Sequence, residues 1–156
     1  MVPAKIGAHL DAIPDRRFSG GVGVDAIEAA ERAFRGRFPA DFVDFLLTLG
    51  SGYAGSEEFM GLGGEEHLDI VSVAKDLRAP STHSAWPDHY VPLRNDGFGN
   101  HDCIDLSASR ESDSRVVLWT HSAPGAPHHE VLADGYWVWF EGVLEMAREL
   151  PHRRSD

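Results

Sequence analysis

The 156 residues hold one cysteine, Cys103, so no disulfide can form within the chain and no zinc site can be assembled from paired cysteines. Long apolar runs are missing as well. The longest stretches, residues 42–49 and 131–144, are interrupted by polar residues and fall short of the ~20 needed to span a bilayer. The first 23 residues contain no apolar segment behind a basic one, which gives no sign of a secretory leader. Neither glycine-rich stretch, GGVGVD or GLGGEEH, carries the lysine of a P-loop, and no HExxH pair of histidines is present. There is no internal repeat and no low-complexity block. The expectation is a single cytoplasmic domain with no membrane segment, large enough to bury one full hydrophobic core.

What the sequence does have is acid. The formal net charge is −11, and its placement is uneven: residues 41–113 carry 14 acids against 4 bases, residues 1–40 carry +1, and residues 114–156 carry −2. A field of this sign repels nucleic acid and anionic membrane and speeds encounter with a basic protein. The plainer reading is that an acidic surface keeps a protein in solution.

Residues 1–23 read as an N-terminal arm with a small apolar patch (Ile6, Leu10, Ile13) able to fold back on the body. Helical spacing over residues 24–37 places Val24, Ile27, Ala30 and Phe34 on one side. Pro39 ends that helix and opens the next, in which Phe42, Phe45, Leu46 and Leu49 share a face and Gly50 caps the end. Apolar runs punctuated by Gly, Pro and Asn then predict strands at 58–62, 90–93, 101–106, 116–120 and 131–133. A short helix is expected near 73–77, capped by Ser72 and stopped by Pro80. The YWVWF run is open to a strand reading, but periodicity over 136–150 predicts a helix, with Asp134 as its N-cap. Helices at both ends around a central, mainly antiparallel sheet covered on one face make an α+β fold.

Three segments together resemble the Smi/Knr-type branch of the SUKH superfamily: IEAAERAFRGRFPADFVDFLLTLGSGY, LRNDGFGNHDCIDLS, and the strand-loop-strand-helix order from residue 116 onward. The resemblance covers residues 24–150, leaving 151–156 as a tail. Glu31, Pro39, Asp41 and Gly52 match the family's opening motif, and Asp96, Gly97, Gly99 and Asp105 its central turn and strand. Gly50-Ser51-Gly52 stands where the family commonly has Asn-Gly. The resemblance implies either an immunity protein that neutralises a toxin, often a nuclease, or a regulatory module like the fungal cell-wall members.

Candidate sites divide into structural and binding groups. Glu31 lies on the apolar side of the first helix, where a carboxylate must find donors; the reading is that it accepts backbone N–H bonds from a nearby turn and so fixes the helix pair. The glycines of NDGFGNHD suit a turn with positive φ better than a calcium loop, whose acid spacing is absent. Cys103, inside an apolar strand pattern, reads as an inert buried thiol. A docking face is expected from Glu57, Glu58, Glu65, Glu66 and Asp69, joined by Asp96 and Asp102. Tyr53, Phe59 and Phe98 flank these acids as interface anchors or as core residues. No catalytic residue, metal or cofactor is assigned. The leading expectation is a non-enzymatic immunity protein that binds a basic toxin, with a regulatory interaction module second. A small metal-dependent hydrolase built on His101, Asp102 and a distal histidine, His121, His128 or His129, comes third.

Overall fold

In the computed structural model, which describes residues 2–79, 86–123, 126 and 129–149, five helices enclose two antiparallel sheets. The expected stop at Pro80, the end of the last helix at Leu150, the tail at 151–156 and His128 lie outside the described residues.

The arm is an integral part of the fold. Residues Ala4–Asp11 form α1 and Arg16–Phe18 form β1, while Ile6, Leu10 and Ile13 are buried in the main core. Strand β1 pairs antiparallel with β2 (Gly52–Ala54), which pairs with β3 (Glu57–Phe59). A side chain at Gly52 would sit 2.1 Å from the Arg17 carbonyl oxygen, so only glycine lets β1 approach this closely.

Helix α2 (Val24–Phe34) buries Ile27, Ala30 and Phe34, whereas Val24 remains exposed. It ends three residues before the predicted boundary because Arg35 turns left-handed, at φ 56°, and the Gly36 N–H closes onto the Glu31 carbonyl. Pro39 occupies the capping position of α3 (Ala40–Thr48), one place before the first helical residue, and Gly50 follows at φ 77°. Helix α4 (Ile70–Arg78) starts earlier than expected, and its cap is Asp69, whose carboxylate accepts from the Val71 and Ser72 N–H groups at 3.0 Å each. Ser72 thus donates to the cap and is not the cap itself. Helix α5 (Tyr136–Glu149) confirms the helical reading of YWVWF. Asp134 bonds Arg115, and Asp41 instead accepts the Tyr136 N–H.

Strands β4 (Tyr90–Asn95), β5 (His101–Asp105), β6 (Val116–Trp119) and β7 (Glu130–Ala133) form the second sheet in sequential order, joined to the first by a Met60 N–H bond to the Leu93 carbonyl. This sheet is covered on both faces, not one. Val91, Leu93, Ile104 and Val116 join the main core, while Tyr90, Cys103, Val117 and Trp119 pack with Trp86 and Leu77 in a second cluster. Alternation along the strand sends neighbours to opposite faces, and here both sets are apolar.

Aromatic rings hold the main core. Tyr136 of α5 meets Phe42 and Phe45 of α3 at 5.3 and 5.0 Å between centroids, Phe140 meets Phe45 at 5.8 Å, and Phe59 lies 4.4 Å from Phe140. Burying each such ring stabilises the fold by roughly 1.5–3 kcal/mol.

Candidate partner-binding groove

The antiparallel registers set Arg17 opposite Tyr53 and Tyr53 opposite Glu58, so the three side chains form one row across the small sheet. Beyond Glu58 the chain continues through a glycine-rich turn and a single 3-10 turn, Glu66–Leu68. That turn brings His67 back over the row. Its Nε2 lies 2.7 Å from Glu58 and its Nδ1 3.2 Å from Glu65. Between sheet and turn runs a groove of about 660 Å³, lined by Arg17, Ser19, Ser51, Tyr53, Ser56, Glu58, Glu65 and His67.

The row is bipolar, with Arg17 at the β1 edge and two carboxylates at the other side. Glu65 is 77% exposed and Glu58 47% exposed, so both face solvent while sharing one imidazole. Glu66, on the same turn, is also exposed. Ser51 lies in the wall with its hydroxyl buried and without a hydrogen-bond partner among the described residues.

Several carboxylates of the expected docking face do other work. Glu57, mostly buried, bonds the Arg94 guanidinium at 2.7 Å, and the buried Asp102 bonds it at 3.3 Å. Asp102 also accepts the Trp139 indole N–H at 2.9 Å. Burial pushes the Asp102 carboxyl above its ordinary value, an effect that Trp139 and Arg94 only partly offset. Asp69 is spent as a helix cap, and Phe59 is a core ring with no exposed surface. Phe59 and Asp102 are therefore buried away from any docking face, and the Glu57 and Asp69 carboxylates are engaged within the fold. Tyr53, Glu58 and Glu65 meet at the groove, and Glu66 is exposed on the adjoining turn.

Asp96 organises its own turn. It accepts from the Phe98 and Asn100 N–H groups at 2.7 and 3.1 Å and from the Asn100 side chain at 3.0 Å, while Gly97 and Gly99 take φ 87° and 89°. Partial burial alone would raise its pKa, but these bonds win and hold it below the usual range. The turn lifts Phe98 into solvent at 79% exposure. Asp105 closes the following turn by accepting the Ser107 N–H and hydroxyl.

The remaining motif residues are tethers. The Glu31 carboxylate accepts the Phe38 N–H at 2.7 Å, tying α2 to the entry of α3. Asp41 accepts the Ser114 N–H at 2.9 Å, the Ser114 hydroxyl at 2.6 Å and the Tyr136 N–H at 2.8 Å.

The expected hydrolase pair does not converge. His101 is buried against Trp86 and Trp119, while its strand neighbour Asp102 turns to Arg94 and Trp139 on the opposite side. His121 bonds Asn100, His129 meets Tyr90 edge-on, and burial pushes the Cys103 thiol well above its usual value. Sequence reading missed Arg17, Ser19, Ser51, Ser56 and His67, because the RRFSGG stretch reads as flexible and a histidine between glutamates carries no motif.

A family model for SUKH_6, described as SMI1-KNR4 cell-wall, matches residues 25–137. The chain belongs to this SUKH family. A crystal structure of a protein from Pseudomonas syringae pv. tomato aligns with a TM-score of 0.63 over 92% of this chain and 99% of that one. At 22% identity, that likeness is one of fold. A stretch of 71 residues is 34% identical to the large ribosomal subunit protein uL22 of Caenorhabditis elegans. It spans 43% of the SUKH chain and 38% of the ribosomal protein. Among the described residues, no helix of the SUKH domain is long and apolar enough to cross a membrane.

His101 gives the domain a pH-dependent stability. Burial lowers its pKa below the ordinary 6.5, with Asp96 opposing part of the shift. The unfolded chain therefore binds the proton more readily, and the stability contribution is present above about pH 6.5 and lost as pH falls toward the folded-state value. Urea midpoints of the wild type are expected to drop between pH 7 and 5 more steeply than those of His101→Phe, which keeps a ring between the two tryptophans.

Proposed function

We propose that this SUKH-family chain is a non-enzymatic immunity protein of the bacterial cytoplasm that binds and neutralises a basic protein toxin, most simply a nuclease, through the groove. The observation that carries this reading is that Glu58 and Glu65 line the groove beside Tyr53, with Glu66 exposed on the same turn. A nuclease must present positive charge to its substrate, and an acidic inhibitor can occupy the same surface. Aromatic residues set among charges suit the centre of such an interface. Phe98, held out by a braced turn, would enter a partner's pocket with little ordering cost.

The family's cell-wall description favours a second reading, a regulatory module that docks on a housekeeping partner through the same groove. A toxin encoded beside this chain separates the two. Neither reading involves direct contact with nucleic acid or membrane.

The test is the association rate with the basic protein that co-purifies from the native cell, followed by stopped flow across a salt series. Reversing Glu58, Glu65 and Glu66 to lysine is expected to slow association about tenfold or more at low salt and to flatten the salt slope. An unchanged rate and slope would remove the acidic groove from the mechanism.

A further inference from the structure

Away from the groove, one set of metal-ligating atoms comes together where α1 packs against α5. Glu141 and Glu145 are one turn apart on α5, so their carboxylates leave the same face of the helix. His9 reaches them from the last turn of α1, and one ligand atom from each residue lies within 4.8 Å of the others. We propose that His9, Glu141 and Glu145 form a zinc site that pins the N-terminal helix to α5.

The spacing supports zinc. Tetrahedral zinc with bonds of about 2.0–2.2 Å holds neighbouring ligand atoms roughly 3.4 Å apart. The His9 Nε2 and Glu141 Oε1 atoms are 3.5 Å apart, with only 16% and 21% of their side chains exposed. These two ligands are held at the required distance by the packing of the helices. Glu145 is exposed and needs only a side-chain rotation to complete three protein ligands, leaving a fourth position for water. One imidazole nitrogen with two carboxylates suits zinc better than magnesium or calcium, which favour all-oxygen shells.

An independent observation shows that the cluster attracts cations. The Lys5 ammonium lies 2.9 Å from the same Glu141 oxygen, and Glu145 adds to its attraction. Lys5 is 74% exposed and one turn before His9 on α1, so it can swing out without disturbing the helix. It is a built-in competitor for the site. That gives the proposal predictions of opposite sign for two neighbouring residues.

The full chain, stripped with chelator, would be titrated with zinc chloride by calorimetry and by thermal melting. One zinc per chain is expected, with a dissociation constant in the micromolar range or tighter and a Tm increase of roughly 5 °C at saturating metal. His9→Ala and Glu145→Gln should each weaken binding at least tenfold, and Lys5→Ala should tighten it severalfold. Magnesium chloride should leave the Tm unchanged. Melting curves in chelator show whether each variant is folded, and exposed Glu145→Gln serves if His9→Ala is not. Zinc binding no tighter than millimolar, binding to His9→Ala and Glu145→Gln at wild-type strength, or weaker binding to Lys5→Ala would each overturn the assignment.

Discussion

Asp41→Ala is expected to lower the unfolding free energy by about 4 kcal/mol and the Tm by roughly 10 °C. The carboxylate receives the Ser114 N–H and hydroxyl, the Tyr136 N–H, and the N–H of its own neighbour Phe42. Alanine leaves these donors without an acceptor in a part-buried setting, and hydrogen bonds to a charged group contribute about 1.5–3 kcal/mol each, although they do not add fully. The Tm estimate follows from ~2–4 °C per kcal/mol for a chain of this size. Asp41→Asn keeps one acceptor oxygen of nearly the same shape and should lose about half as much. Urea unfolding monitored by tryptophan fluorescence measures both. A loss below 1 kcal/mol for alanine would mean that water replaces the carboxylate and that the knot contributes little.

Arg94→Met is expected to cost about 3–5 kcal/mol at neutral pH. The guanidinium stands between Glu57 of β3 and Asp102 of β5, so its removal strands two nearly buried carboxylates beside each other. The penalty should depend on pH in a definite direction. Asp102 already has a raised folded-state pKa, and a group of that kind contributes fully below its unfolded pKa and loses the contribution as pH rises through the folded value. The gap between Arg94→Met and wild type should therefore narrow as pH falls from 7 toward 4. Neutralising all three, with Arg94→Met, Glu57→Gln and Asp102→Asn together, should recover most of the loss. If the triple variant is no more stable than the single one, the cost lies in packing around the arginine stem instead of in stranded charge.

Helices α2, α3 and α5 were legible because their apolar residues repeat at 3.6-residue spacing, and Pro39 and Gly50 mark their limits. The strands of the second sheet were legible as apolar runs between turn residues. Strands β1 and β2 were not, since three residues are too few to show alternation and RRF carries two charges. The groove suffers from the same difficulty: Arg17 of β1 and Tyr53 of β2 stand in its wall. The acidic residues were counted correctly but their roles were not visible, because each role depends on a distant partner. Asp41 meets Ser114 across 73 positions, and Arg94 meets Glu57 across 37. Only the fold says which carboxylates are consumed internally and which remain at the surface. Glu31 is the exception, since its bond partner Phe38 is seven positions away and its place on the helix wheel already required a donor.

The packing of α1 on α5 has a consequence for how the domain is made. Helix α5 supplies Tyr136 and Phe140 to the core built by α3, and it is also the element on which α1 rests. A nascent chain that has not yet reached α5 exposes Phe42, Phe45 and Phe59 and leaves Asp41 without its distal amide. The early segments therefore wait, unsealed, until α5 has been made, and the domain is completed in a late, concerted closure. Trimming from either side should then unseat the other, so that fragments are degraded as a unit instead of persisting as half-domains.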